Sequence, residues 1–514
     1  MIVGRRAFLI GSAALLAVPA VAQGRQPVIA TTLGRIRGRR EGDLSVFRNI
    51  RYGTAERFRA PVAPPRAAGI VDAFEFGPSS VQRGSRYPAT HEAPLHLNVW
   101  TPEAGRGGRR PVMVYFHGGA YSTGSVVDPL NDGQHLARSQ NVVVVTVNHR
   151  LNAFGYLYLA RLDPRFADSG NAGQLDLILA LQWIRDNIAA FGGDPGRVMV
   201  FGQSGGGAKI ATLMGMPAAQ GLFHSAVTMS GQQVTASGPL NATARTRAYL
   251  GALGDPSMDT LLTMPAERLV EALTATDPII GGSVYFGPVL DMKWLLRHPF
   301  WPDANPQSNH IPMILGNTRD ETRAFIDPDS DRVRTLSWDN IAERMAPELR
   351  MDIHPEWVVA RYREQFPDWS PERLFYAATT AGRSWPGQVL EADARASAGT
   401  PTWVYQLDFQ SPTQPRRGAP HTLDIPLAFG TLDAPGALTG TGPEARALST
   451  LMMTQFAEFA RNRNPNAPGT PPWEHYELGE RQTMVFDAQS RQVSDPRRWE
   501  RELFARVPYI QPGS

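Results

Sequence analysis

Val198-Met199-Val200-Phe201-Gly202-Gln203-Ser204-Gly205-Gly206-Gly207-Ala208-Lys209-Ile210-Ala211-Thr212-Leu213-Met214 is the stretch on which the fold turns. Its first four residues form an apolar, β-favouring run that suits a strand buried on both faces. Its last residues are compatible with a helix. Between them stands Gly202-Gln203-Ser204-Gly205-Gly206, a G-x-S-x-G pentapeptide. Such a serine sits on a sharp strand-to-helix turn with its hydroxyl exposed, and the flanking glycines let strand and helix approach without Cβ clashes. Ser204 is the candidate nucleophile.

Similar apolar runs lie to either side, at 111–116, 142–147, 226–229, 311–315 and 402–405. They do not alternate with polar residues, as expected of strands covered on both faces. Helical spacing lies between them. Leu175, Ile178, Leu179, Leu181, Ile184 and Ile188 mark one helix over 174–190, and 449–461 is similar. Strands alternating with helices predict an α/β fold with a mainly parallel central sheet. The segment 28–50 reads as antiparallel strands added at one edge. No repeat and no single Pro/Gly linker divides the chain, so 23–514 reads as one catalytic domain.

A second motif, Phe116-His117-Gly118-Gly119-Ala120-Tyr121, follows the run 111–116. Glycines here turn bare backbone N–H groups toward a substrate carbonyl. Gly118, Gly119 and Gly205 are the candidate oxyanion hole, each donor worth about 2.7–4 kcal/mol.

Composition narrows the chemistry. Of 514 residues, 42% are hydrophobic and 19% charged, which fits a globular protein rather than a disordered chain or a membrane bundle. With no cysteine, disulfides, thiolate metal sites, a cysteine nucleophile and iron–sulfur ligation are excluded. The net charge is +3 and arginine carries nearly all the positive charge, Lys209 and Lys293 being the only lysines. The arginines are interleaved with acids, which argues against nucleic-acid binding. The pair His91/His96 superficially resembles a zinc helix, but the spacing is one residue too long and Pro94 interrupts it, so no metal is expected.

At the start, Arg5-Arg6-Ala7-Phe8-Leu9, an apolar run to Val18 and Ala20-Val21-Ala22 form an export-signal pattern over 1–22, resembling a twin-arginine signal. The run is too short for a permanent membrane span. The mature chain is expected to be exported, periplasmic or secreted, without a stable membrane anchor.

Taken together, the motifs resemble the type-B carboxylesterases, the family of cholinesterases and bacterial para-nitrobenzyl esterases. The likeness runs through Leu97-Asn98-Val99-Trp100-Thr101-Pro102, Val147-Asn148-His149-Arg150-Leu151, Gly170-Asn171-Ala172-Gly173, Trp183 to Ile188, Phe191-Gly192-Gly193-Asp194-Pro195 and Met229-Ser230-Gly231. It implies the α/β-hydrolase fold. It also implies that Glu321, in Gly316-Asn317-Thr318-Arg319-Asp320-Glu321, orients a catalytic histidine, with the neighbour Asp320 as competitor. His421, in Gly418-Ala419-Pro420-His421, is implied as the base, and Ser230 as a hydrogen-bond partner of Glu321. The order Ser204, Glu321, His421 is that of α/β-hydrolases. Among the other histidines, His117 is expected to support the oxyanion loop, and His149 and His224 to be structural. Arg150 and Asp176 are expected to form a buried pair.

Two departures stand out. The residue before the nucleophile is usually glutamate in this family and is Gln203 here, which weakens the case for cationic choline-type esters. The family's loop disulfide is absent, its positions matching Ser80 and Pro94, and the short loop between them predicts a wide mouth above the site. The expected activity is hydrolysis of small-molecule carboxylic esters through an acyl-enzyme, needing no cofactor. Two alternatives are an esterase specialised for one bulky natural-product ester or carbamate, and a non-catalytic adhesion or binding module of the same fold. Oligomeric state is not legible.

Overall fold

The computed structural model describes residues 26–87 and 89–513. The export-signal segment 1–22 lies outside them. Eleven strands build the main sheet among the described residues: β1 (Arg39–Glu41), β2 (Leu44–Arg51), β3 (His96–Thr101), β4 (Arg110–Phe116), β5 (Val143–Val147), β6 (Gly193–Gln203), β7 (Ser225–Met229), β8 (Met313–Thr318), β9 (Thr402–Leu407), β10 (Gln482–Phe486) and β11 (Arg491–Ser494). Their order is β11-β10-β9-β8-β7-β6-β4-β5-β3-β2-β1. The seven from β10 to β5 run parallel, and antiparallel strands close both ends. This is the mainly parallel α/β sheet expected from the apolar runs.

Both faces are covered, which explains why the strands read as unbroken apolar runs. Val112, Val114 and Phe116 pack on one side with Leu181 and Ile184 of helix α1 (Ala172–Asn187) and Ile210 and Leu213 of α2 (Gly205–Met214). Met113 and Tyr115 pack on the other with Met452, Phe456 and Phe459 of α3 (Pro443–Asn462). Helix α3 begins earlier than its apolar spacing suggests, with Pro443 in its first turn, where a missing N–H costs nothing. Arg150 and Asp176 form the expected buried pair, with Arg150 Nη2 2.6 Å from Asp176 Oδ1.

The N-terminal segment differs from expectation. Only residues 39–51 join the main sheet. Val28–Thr31 and Gly34–Arg37 form a hairpin that pairs with Ile70–Asp72 in a separate three-stranded sheet. The chain changes sheet at Gly38, where a Cβ would lie 2.5 Å from the Val46 carbonyl oxygen. Only glycine permits so close a backbone crossing. The loop that lacks the family disulfide is held at its base by backbone pairing: Ser79–Ser80 runs beside Thr90–His91, with Ser79 N–H donating to Ala89 at 2.9 Å.

Candidate active site

The sequence elements converge at the carboxyl ends of the parallel strands, the usual location of ligand sites in open α/β sheets. Ser204 joins β6 to α2 with φ 55° and ψ −125°, a strained conformation for a side chain with a Cβ. It is held there by its N–H donating to Met229 (2.7 Å) and its carbonyl accepting from Ala208 (3.0 Å). The glycines around it allow the turn. A Cβ on Gly206 would sit 1.9 Å from the Phe116 carbonyl oxygen, and one on Gly202 2.6 Å from the Gly206 carbonyl carbon.

Glu321 starts a short turn just past β8 and is fully buried. One carboxylate oxygen accepts from Ser230 Oγ (2.6 Å), Thr318 N (2.8 Å) and Asn317 Nδ2 (3.0 Å). The other is hydrogen-bonded to His421 Nδ1. Burial alone would push this carboxyl upward. The neighbouring His421 ring and the bonds from His421, Ser230 and Thr318 outweigh it and hold Glu321 below the ordinary glutamate range. Ser230 therefore stands where the resemblance implied. Asn317, which the sequence reading did not single out, completes the cradle.

Asp320 faces elsewhere. Its carboxylate accepts from Ala419 N (2.9 Å) and pairs with Arg319, while its own N–H donates to the Ala419 carbonyl (2.9 Å). It ties the β8 loop to the segment before His421 and does not touch the imidazole-binding position held by Glu321.

The remaining nitrogen of His421, Nε2, lies 3.1 Å from Gln203 Nε2. With Nδ1–H committed to Glu321, Nε2 is an acceptor and the Gln203 amide donates to it. The Phe325 ring covers the imidazole at 4.8 Å. One turn further, Asp424 is buried beside the pair and accepts from Tyr405 Oη at 2.9 Å; burial and the Glu321 charge raise its carboxyl to about 6. No sequence motif signalled Asp424, because its neighbours meet only in the fold.

The oxyanion loop lies against the elbow. A Cβ on Gly118 would be 2.8 Å from the Gln203 carbonyl oxygen and 3.2 Å from Ser204 Cβ, and one on Gly205 would be 2.6 Å from Ala120 N. The amides of Gly118, Gly119 and Gly205 meet no acceptor among the described residues, as amides reserved for a ligand oxygen should. His117 supports the loop as expected, its Nδ1 donating to Gly118 O at 2.9 Å. Above lies a cleft of about 490 Å³ bordered by Gln82, Tyr87, Tyr115, Asp128, Asn131 and Gln203. Asp128 is neutralised by Arg86. Among the described residues no cluster of three or more His, Cys, Asp or Glu side chains is arranged to hold a metal ion, and no helix is long and apolar enough to cross a membrane.

Comparison with known proteins agrees with this geometry. Residues 25–504 match the model of the carboxylesterase family. The chain is 33% identical to the para-nitrobenzyl esterase of Bacillus subtilis, over 91% of this chain and 96% of that protein. It is 32% identical to the phenmedipham hydrolase of Pseudarthrobacter oxydans, over 91% and 97% respectively. Its fold superposes on a crystallised carboxylesterase of Geobacillus stearothermophilus with a TM-score of 0.82 at 33% identity, covering 93% of this chain and 99% of that one. The match spans nearly the whole described chain rather than a single motif, and on that ground this chain belongs to the carboxylesterase family and hydrolyses carboxylic esters.

Proposed function

We propose that Ser204 is the nucleophile, His421 the general base and Glu321 the group that fixes the imidazole, with the amides of Gly118, Gly119 and Gly205 as the oxyanion hole. The observation that carries this reading is the line from the buried Glu321 carboxylate to His421 Nδ1, with Nε2 of the same ring beside the elbow, 3.1 Å from Gln203 Nε2. His421 Nε2 takes the Ser204 proton as Oγ attacks the ester carbonyl. The carbonyl electrons move onto the oxygen, which the three amides bind. Collapse expels the alcohol, which receives the proton from His421. Water then repeats the sequence on the acyl-enzyme and releases the acid.

The two candidate acids separate cleanly. Glu321→Gln removes the charge that holds the imidazole tautomer and is expected to lower kcat by roughly 10³–10⁴-fold. Asp320→Asn leaves the imidazole partner intact and is expected to stay within about tenfold of the parent enzyme. Steady-state hydrolysis of para-nitrophenyl butyrate measures both, and the reverse ranking would transfer the role to Asp320.

Substrate class follows from the cleft. Gln203 is neutral and Asp128 is paired, so no free carboxylate on either faces a cation. Uncharged small to medium esters are the proposed substrates. A neutral thioester is expected to exceed its choline isostere in kcat/KM by at least about tenfold; parity between them would remove this argument. The non-catalytic reading gains nothing from a buried carboxylate tuned to an imidazole, and no feature of the cleft favours specialisation for one bulky ester or carbamate. Export of the mature chain is proposed on the pattern at 1–22. Amino-terminal sequencing of the extracytoplasmic protein should begin just after Ala22, and a product beginning at Met1 would refute it.

A further inference from the structure

We propose that Lys209 is a positioning residue for the oxyanion hole: its ammonium grips the His117 carbonyl and thereby aims the Gly118 amide at the reacting carbonyl oxygen. The inference rests on the assignment of Gly118 and Gly119 to that hole.

Lys209 is one of two lysines in a chain that otherwise uses arginine. It sits on α2, directly after the elbow, and is fully buried. It makes no ion pair with a carboxylate among the described residues. An ammonium in such a place is costly, since apolar burial removes its hydration without the return of an opposite charge. Its contacts explain what it does there. Nζ donates to the His117 carbonyl oxygen at 3.1 Å and lies 5.1 Å from the centroid of the Tyr121 ring.

The His117 carbonyl and the Gly118 N–H belong to one planar, trans peptide group and point in opposite directions. Anchoring the oxygen therefore fixes the direction of the N–H at the other end of that peptide, on a residue that abuts the elbow: a Cβ on Gly118 would lie 3.2 Å from Ser204 Cβ. The next peptide is treated the same way. His117 Nδ1 donates to the Gly118 carbonyl at 2.9 Å, and that peptide carries the Gly119 N–H. Each of the two loop amides is thus backed by a donor on the carbonyl of the preceding residue, within the same peptide group. A donor at the oxygen also polarises the peptide and strengthens the N–H at its other end. A glycine pair has no side chains to hold these planes, so the restraint must come from outside the loop.

The groups around Lys209 are compatible with this role. His117 and the His149 ring stacked on it at 4.6 Å are both held neutral by burial first and then by the Lys209 charge, His117 being pushed down to about 3. Tyr121 is likewise kept protonated by burial. Lys209 itself is brought down to about 7 by burial.

The test is Lys209→Met, which removes the ammonium at nearly constant volume. Hydrolysis of para-nitrophenyl butyrate is compared with binding of an alkyl trifluoromethyl ketone, whose serine adduct carries an oxyanion. The expected result is a fall of at least about tenfold in kcat and in ketone affinity, short of the roughly 10²–10³-fold cost of deleting a donor, with KM within about twofold. A merely structural lysine would change the melting temperature without changing the ketone affinity of the folded protein. A folded K209M enzyme with unaltered kcat and ketone affinity would overturn the proposal, as would a loss confined to KM. Should K209M fail to fold, the same two readouts are taken on Lys209→Leu, which also lacks any donor, with the same expected direction and the same overturning result. Ser204→Ala serves as control. Ketone binding that survives S204A would refute the catalytic assignment itself, whereas binding lost in S204A but kept in K209M would refute only the role of Lys209.

Discussion

Ser204→Ala is expected to reduce kcat for para-nitrophenyl butyrate by roughly 10⁵–10⁶-fold while leaving the fold intact. The loss is this large because the proposed attacking group is gone, which leaves His421 with no hydroxyl proton to take and Glu321 with no imidazolium to stabilise. The effects of nucleophile and base are not additive, since they act as one unit. Ser204→Ala, His421→Ala and the double variant should therefore fall to similar residual rates. What remains, roughly 10³–10⁴-fold over water, would come from the oxyanion amides and substrate binding. Stability should change little, since the hydroxyl makes no hydrogen bond among the described residues and the strained turn is held by backbone bonds at Met229 and Ala208. A fluorophosphonate probe that still labels the S204A protein would relocate the nucleophile.

Asp176→Ala is expected to cost about 3–5 kcal/mol of stability, because it strands the Arg150 guanidinium in the core. The pair is nearly inaccessible, with side-chain exposures of 2% and 0%. Asp176 receives Arg150 Nη2 at 2.6 Å, Nε at 2.9 Å and the Arg150 backbone N–H at 3.0 Å. The same guanidinium also donates to the carbonyls of Arg59 (2.7 Å) and Ala172 (3.3 Å), so it ties α1 and the loop after β2 to the end of β5. Replacing both partners with apolar residues, as in R150M/D176L, is expected to recover most of the loss, since the desolvation cost disappears with the charges. Denaturant unfolding of the two single variants and the double variant measures the coupling. Independent, additive losses would show that the pair is not the unit described.

The fold and the strand-turn-helix elbow that carries Ser204 were legible because their signals are local. The apolar run before Ser204 and the glycines around it dictate a strand, a sharp turn and a helix within one short segment, and the buried parallel strands repeat the same unbroken apolar pattern. The placement of Gly118 and Gly119 against the elbow was legible for the same reason, since the glycine pair directly follows a buried strand. The edge was misassigned because residues 28–37 and 39–51 have equivalent strand character. Their separation into two sheets is decided at Gly38 by how closely Val46 and Phe47 approach it.

The chain order of residues thus determined by itself which segment becomes the elbow, which backbone amides are left bare and which charges lack a nearby partner. It did not determine the use of those charges. Glu321 and Asp320 are adjacent carboxylates of nearly equal chemistry, and only the position of Ala419 on one side and His421 on the other separates the loop clamp from the carboxylate that meets the imidazole. Lys209 and Asp424 carry no motif, because what matters for each is a contact with a residue far away in sequence and a burial that only packing creates. Electrostatics depends on distance and on exclusion of water, and both are properties of the assembled fold.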